Sequence, residues 1–183
     1  MAVRGSVRFK ADDIWEAPED GNRYEVIDGE LLVTPAPSWG HQVASAGLFL
    51  RLGTYVRRRR LGQVVSAPTG VALDEETAVQ PDLVYVSRER AGIISERGLE
   101  GAPNLVVEVL SPSTQARDRG IKMRRYAAAG IPHYWLVDPS ARTLEPYRLG
   151  ERGYESAGVY GAGTTFRPEL FPGLEIPIDE LRS

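Results

Sequence analysis

Glu108 is the one charged residue in NLVVEVL, residues 104–110. An ionised carboxylate buried in such a run costs several kcal/mol in effective terms unless a cation meets it, so a metal ion or a basic side chain is required here. Asp82 poses the same problem, because it follows Pro81 at the mouth of a second apolar run, LVYV. Two carboxylates at the mouths of neighbouring strands repel each other, and a divalent cation between them relieves the repulsion. Oxygen-only ligation of this kind suits Mg²⁺ or Mn²⁺. A buried pair with an arginine would explain Glu108 with no chemistry, and a turn role after proline would do the same for Asp82. Lys122 is the third member, on the helix directly after the Glu108 strand, from which it can lean back toward that strand's end. Lys10 and Lys122 are the only lysines among 22 basic residues. A lone mid-chain lysine fits a need for a compact, titratable point charge that guanidinium cannot supply. A solvated helix position is its plain alternative. Tyr126, four residues on, shares the same helix face.

The strings RYEVIDGELLVTPAPSWGHQ, VQPDLVYVSRER, GAPNLVVEVLSPST and KMRRYAAAGIPHYWLVDP together resemble the Uma family of restriction endonuclease-like proteins, within the PD-(D/E)XK nuclease superfamily. The likeness covers nearly the whole chain and keeps the family's blocks in order and spacing. It implies that Pro81-Asp82 is the PD element, with Asp82 a metal ligand, and that Glu108 is the acid of the second half-motif. Leu110 stands where the superfamily's lysine would be, and the resemblance implies that this lysine has moved to the following helix as Lys122. Glu25 and His41 match further polar positions of the family's N-terminal half and are accessory candidates. Taken alone, Glu25 reads as an outward strand residue paired across a hairpin, and His41 as a surface or capping histidine. The implied activity is metal-dependent endonucleolytic hydrolysis of DNA phosphodiester bonds. Asp82 and Glu108 would hold Mg²⁺ or Mn²⁺, and Lys122 would orient the attacking water or offset phosphate charge. One alternative is a catalytically inactive nuclease-fold protein serving as a nucleic-acid or protein interaction module. Another is an oligomerisation domain whose buried acids pair with arginines across subunits.

Holding these residues together takes particular elements. Two β-favouring runs around Asp28-Gly29 spell a hairpin over 23–34. Pro35 and Pro37 stop it, and Ser38 caps a helix from about Trp39 to Arg60. Its packed stripe is expected at Val43, Gly47, Leu50 and Thr54, widened by Ala46, Leu52 and Val56. Residues 63–73 read as extended, bent at Pro68 and Gly70, with a turn at 74–77 and a strand at 82–86. A polar helical stretch covers 87–97. Residues 104–110 form a central strand covered on both faces, 115–129 a helix closed by Gly130, and 133–137 a third apolar strand. A hairpin over 143–160 turns near 150–153, and 168–183 is a Pro-rich closing segment with a short terminal helix. The order gives an α/β (α+β) sandwich around one mixed sheet with added β-hairpins. The resemblance makes it restriction endonuclease-like, with helices flanking the sheet.

At 183 residues the expectation is one domain spanning 1–183. With 42% apolar and 26% charged residues the chain can bury a core, which excludes global disorder. The absence of cysteine excludes disulfides, thiolate nucleophiles and Cys-ligated metal sites. No long apolar run occurs and Met1–Lys10 lacks an apolar leader, so the expectation is a cytoplasmic protein with no membrane partner. DNA is the expected partner. Net charge is −3, so nucleic acid must be met by a local basic patch. Arg57–Arg60, with Arg117, Arg119, Arg124 and Arg125, would supply it if both helices present them on one side. Arg57–Arg60 also read as a plain solvated helix end. A homodimer would suit double-strand cleavage. His133 is expected beside Tyr134 and Trp135, and Trp15, Trp39 and Trp135 as core or rim residues.

Overall fold

The computed structural model describes residues 7–181. Residues 1–6 and 182–183, which include most of the N-terminal stretch read for a leader, lie outside the described residues. β1 (Arg23–Ile27) and β2 (Glu30–Thr34) pair antiparallel. Asp28 and Gly29 between them both take positive φ, 55° and 76°, which is what a two-residue hairpin turn demands. Ser38 then caps α1 (Trp39–Arg59), its hydroxyl accepting the His41 N–H. After α1 come β3 (Gly62–Ser66), β4 (Gly70–Asp74), β5 (Thr77–Val79), β6 (Leu83–Ser87), a 3-10 turn (Arg88–Ile93), β7 (Gly98–Glu100) and β8 (Leu105–Val109). A helical segment follows as α2 (Gln115–Arg117), a π turn (Asp118–Lys122) and α3 (Met123–Ala128). β9 (His133–Asp138), β10 (Thr143–Gly150), β11 (Gly153–Ser156), β12 (Thr165–Phe166), β13 (Ile176–Pro177) and a last 3-10 turn (Ile178–Leu181) complete it.

The strands form two mixed sheets and a two-stranded ribbon. The larger sheet runs β11-β10-β9-β8-β6-β3 and the smaller β2-β1-β5-β4-β7, while β12 pairs with β13. β8 and β9 are parallel neighbours joined through the α2–α3 segment, the one connection that needs a helical crossover. Residue alternation assigns the faces. Odd-numbered Leu83, Tyr85, Leu105, Val107 and Val109 pack with α1 and with Phe171, Ile176 and Leu181 from the C-terminal segment. Even-numbered Val84, Val86, Val106 and Leu110 face the other way, against Ile27, Val71 and Val79 of the smaller sheet and Tyr126 of α3. Asp82 and Glu108 are even-numbered and share this second face.

This is the expected mixed α/β arrangement, a central mixed sheet with helices on its flanks and hairpins added at β1–β2 and β10–β11. The expectation of one sheet becomes two, because 63–73 is not one extended piece. The chain leaves the larger sheet after β3 and enters the smaller one at β4, turning at 67–69. The continuous helix expected over 115–129 contains the π turn. The buried face of α1 is also rotated from the expected stripe. It consists of His41, Ala44, Ser45, Leu48, Leu52, Tyr55 and Val56, whereas Leu50 is 65% exposed. Polar His41 and Ser45 on the packed face, and apolar Leu50 on the open one, hide the true periodicity. Trp39 is 82% exposed and is no core residue, since it precedes the first buried position of the helix. Trp135 is in the core and Trp15 lies at a rim. Among the described residues no helix is long and apolar enough to cross a membrane.

Leu48 is fully buried, so Leu48→Ala should cost about 2–5 kcal/mol, while Leu50→Ala should stay within about 0.5 kcal/mol. Denaturant unfolding of the two variants checks which face of α1 is packed; the reverse order would contradict the assignment.

Candidate active site

The site lies where the apolar layer between the two sheets turns polar. β6 and β8 are antiparallel, with Leu83 opposite Val107 and Val84 opposite Val106. Continuing that register by one residue sets Asp82 across from Glu108, and directly opposed positions have Cβ atoms about 4.5–5.5 Å apart. From the smaller sheet, Arg23, Glu25 and Ile27 alternate onto the facing side of β1. From the crossover, Lys122 and Tyr126 lean in over β8. All five residues expected from the sequence, Glu25, His41, Asp82, Glu108 and Lys122, line one cavity of about 80 Å³. That volume accommodates several waters, since one water requires roughly 10–15 Å³ on the same measure.

Two charge clusters divide the cavity wall. Asp82 is 2% exposed and accepts from the Arg23 guanidinium at 2.7 Å, from the Val109 N–H at 2.7 Å and meets His41 Nε2 at 3.2 Å. Burial alone would raise its pKa. The His41 hydrogen bond and the Arg23 charge, with the Val109 amide, outweigh that and hold Asp82 at about 2. Glu108 is met from the helix. Its Oε1 accepts from Lys122 Nζ at 2.8 Å and from the Tyr126 hydroxyl at 2.6 Å. Lys122 also pairs with Glu25 at 2.7 Å and Asp118 at 3.7 Å. Burial pushes Glu108 up to about 8; Lys122 offsets only part of this, and the charges of Asp118, Asp82 and Glu25 add to it. Asp118 is raised too, chiefly by burial. Burial works against the charge on Lys122, but Glu108, Glu25 and Asp118 overcome it and raise its pKa, so the amine stays protonated.

The cation demanded at Glu108 is therefore Lys122, and the one at Asp82 is Arg23. The guanidinium at Asp82 belongs to the same chain, which removes the need for an arginine from another subunit. Glu25 is not an outward strand residue but 2% exposed, and His41 is buried on the packed face of α1. Two partners, Arg23 and Asp118, were absent from the sequence expectations, and a third, Arg117, was expected only as part of a basic patch. Arg23 sits two residues before Glu25 on one strand face, Asp118 four residues before Lys122 on one helix face, and Arg117 lines the same cavity. Strand and helix periodicity, applied to Glu25 and Lys122, point to the first two.

The donor set is compatible with a hard divalent cation. Four carboxylates, Glu25, Asp82, Glu108 and Asp118, line the cavity against three permanent cations, Arg23, Arg117 and Lys122. That leaves one negative charge over before His41 is counted. A proton on Glu108 or a bound cation removes it. Among the described residues no cluster of three or more His, Asp or Glu side chains is arranged as a metal cage. Mg²⁺ characteristically keeps several waters and binds through one or two carboxylates plus substrate phosphate, so two acids are a sufficient protein contribution.

Of the arginines expected in a basic patch, Arg117 lines this cavity. Arg57–Arg60 close the far end of α1, about 25 Å along the helix from His41 at 1.5 Å per residue. On the crossover, Arg119 is bound by Glu145 at 2.6 Å, and Arg125 pairs with Asp28. Arg23 and Arg117 are the arginines at the cavity wall.

Comparison with known proteins gives a family. Residues 11–179 match the family described as "Uma2: Putative restriction endonuclease". No curated protein matches the chain. Among solved structures, the crystal structure of a putative nuclease belonging to DUF820 from Anabaena variabilis ATCC 29413 is similar, with a TM-score of 0.77. The two are 19% identical over 94% of this chain and 97% of that chain, a likeness of fold.

The Glu108 environment fixes a pH dependence. Its folded pKa of about 8 lies above the ordinary 4.5, so between those values the folded state holds a proton that the unfolded state has lost. Stability from this group is full below about 4.5 and is lost as pH rises through about 8. Glu108→Gln removes the titration. In metal-free buffer, the stability of wild type relative to this variant should decline across that window in denaturant melts; parallel pH profiles would contradict the assignment.

Proposed function

The chain belongs to the Uma2 family, and on that footing we propose that it is a metal-dependent endonuclease that hydrolyses phosphodiester bonds of DNA. The observation that carries the reading is the meeting of Asp82, Glu108 and Lys122 at one cavity, the two acids as opposed residues of adjacent strands and the lysine ion-paired to one of them. Asp82 and Glu108 would hold Mg²⁺ or Mn²⁺. When bound, such an ion supplies Lewis-acid polarisation of the phosphate and acidification of water.

The remaining chemistry belongs to the chain's own side chains. Lys122 carries a fixed ammonium beside Glu108, from which it orients the attacking water or offsets negative charge growing on the phosphate. Its direction is set by Glu25, which holds the same nitrogen from the opposite sheet. Arg23 neutralises Asp82 and stands at the cavity wall, where an incoming phosphate diester competes for the guanidinium. His41 and the Val109 amide keep the Asp82 carboxylate oriented during that exchange. The apolar position at Leu110 does not weaken the reading, because the ammonium arrives at Glu108 from the helix side.

Plasmid nicking in Mg²⁺ or Mn²⁺ tests the proposal. Wild type should nick, Asp82→Asn and Glu108→Gln should abolish nicking, and Lys122→Met should lower the rate by about 100-fold or more. Circular dichroism of each variant separates lost chemistry from lost fold. An absence of cleavage by folded wild type on any DNA with either metal would leave an interaction module in place of an enzyme.

A further inference from the structure

Beside the catalytic cavity lies a larger groove of about 670 Å³. Arg23, Asp82 and Pro35–Pro37 line both spaces, so the two lie side by side with these residues as their common wall. We propose that this groove is a nucleobase subsite, which receives an unpaired base of the DNA strand next to the phosphate held at the catalytic cavity. The proposal rests on the phosphodiesterase reading and specifies its substrate as single-stranded or locally unpaired DNA.

Size and wall chemistry carry the argument. The volume falls within the range of small-molecule clefts, roughly 300–1,000 Å³. Trp15, Tyr24 and Phe49 supply aromatic surface, and Gln42 and Gln80 supply amides. A groove that tracks a nucleic-acid backbone is lined by cations. Here the charged lining is Glu19, Asp82 and Arg23, two acids and one arginine, and that arginine is the one shared with the catalytic cavity. Arg23 and Asp82 are paired at the common wall, which leaves Glu19 as the groove's remaining charge and nothing beyond that wall to draw phosphate in. An uncharged, flat, hydrogen-bonding group is what the remainder suits.

The polar groups are ready for such an occupant. Gln42 and Gln80 are held by their main chains, through Ser38 O at 3.0 Å and Glu25 Oε1 at 2.8 Å. Their side-chain amides make no protein hydrogen bond among the described residues, leaving donor and acceptor free for a base edge. Trp15 is fixed in place, its indole N–H donating to Arg97 O at 2.7 Å and the Arg97 guanidinium lying 4.8 Å from the ring centre. A pre-oriented aromatic loses little freedom on stacking with a base. A base within a duplex is already stacked and paired, so reaching this groove requires an unpaired nucleotide.

The test is fluorescence anisotropy with the full chain in metal-free buffer, using a labelled oligothymidylate, the same strand made abasic, and a blunt duplex. Wild type should bind the base-bearing single strand about tenfold or more tighter than the abasic strand, the scale of one stacked base, and tighter than the duplex. Ala46→Trp fills the groove from an exposed position on α1 and should erase that preference, and Gln42→Ala should reduce it. Equal affinity for base-bearing and abasic strands, no measurable binding of either, or an unchanged preference in Ala46→Trp would each overturn the subsite. Base preference without metal-dependent nicking by wild type would keep the subsite and remove the catalytic reading. Nicking without base preference would do the reverse.

Discussion

A single ammonium organises the polar heart of this protein. Lys122, 3% exposed, is surrounded by Glu25 from one sheet, Glu108 from the other and Asp118 from its own helix. Removing it would leave buried carboxylates facing one another without compensation, a loss on the order of 3–5 kcal/mol for a broken buried pair. The same contacts tie three structural layers to one atom, so the position of the amine reports the docking of the two sheets and the crossover helix together. An interaction that contributes little net stability against an apolar substitute can still specify which arrangement forms.

The two acids experience that environment differently. Asp82 lies among donors, Arg23, His41 and an amide, and is held in its ionised form. Glu108 lies among other acids in a drier setting and is driven toward its neutral form. Environments that push paired carboxyls apart are a recurrent feature of reactive centres. In this chain the difference arises from strand order. Asp82 opens toward β1 and α1, where the guanidinium and imidazole stand, whereas Glu108 is roofed by the crossover, where Lys122 of the π turn and Tyr126 of α3 stand.

Much of this was legible in the residues, and for local reasons. An acid inside NLVVEVL and an acid after Pro81 stand out against apolar neighbours, and the spacing of Lys122 and Tyr126 puts both on one helix face. The hairpin at Asp28-Gly29 and the cap at Ser38 are likewise short-range chemistry. Which partner meets which acid is not a local property. Arg23 reaches Asp82 across 59 residues and Glu25 reaches Lys122 from a different sheet, so those contacts exist only after the sheets dock. The division of 63–73 between two sheets was hidden for the same reason. The stripe on α1 failed on contrast, with a histidine and a serine inside and a leucine outside. Arg57–Arg60 stand at the opposite end of the 21-residue α1 from His41, which keeps them away from the cavity.

The π turn at Asp118–Lys122 accommodates one residue more per hydrogen-bonded loop than a regular helix. Each residue of ordinary helix advances about 100° around the axis. Rewinding the same five residues as regular α-helix would carry the lysine further around the axis relative to the chain before it. The meeting of an amine from the crossover with an acid on the strand is thus written into backbone winding as well as side-chain choice. Length changes in this short segment should be tolerated far less readily than substitutions on its outer surface.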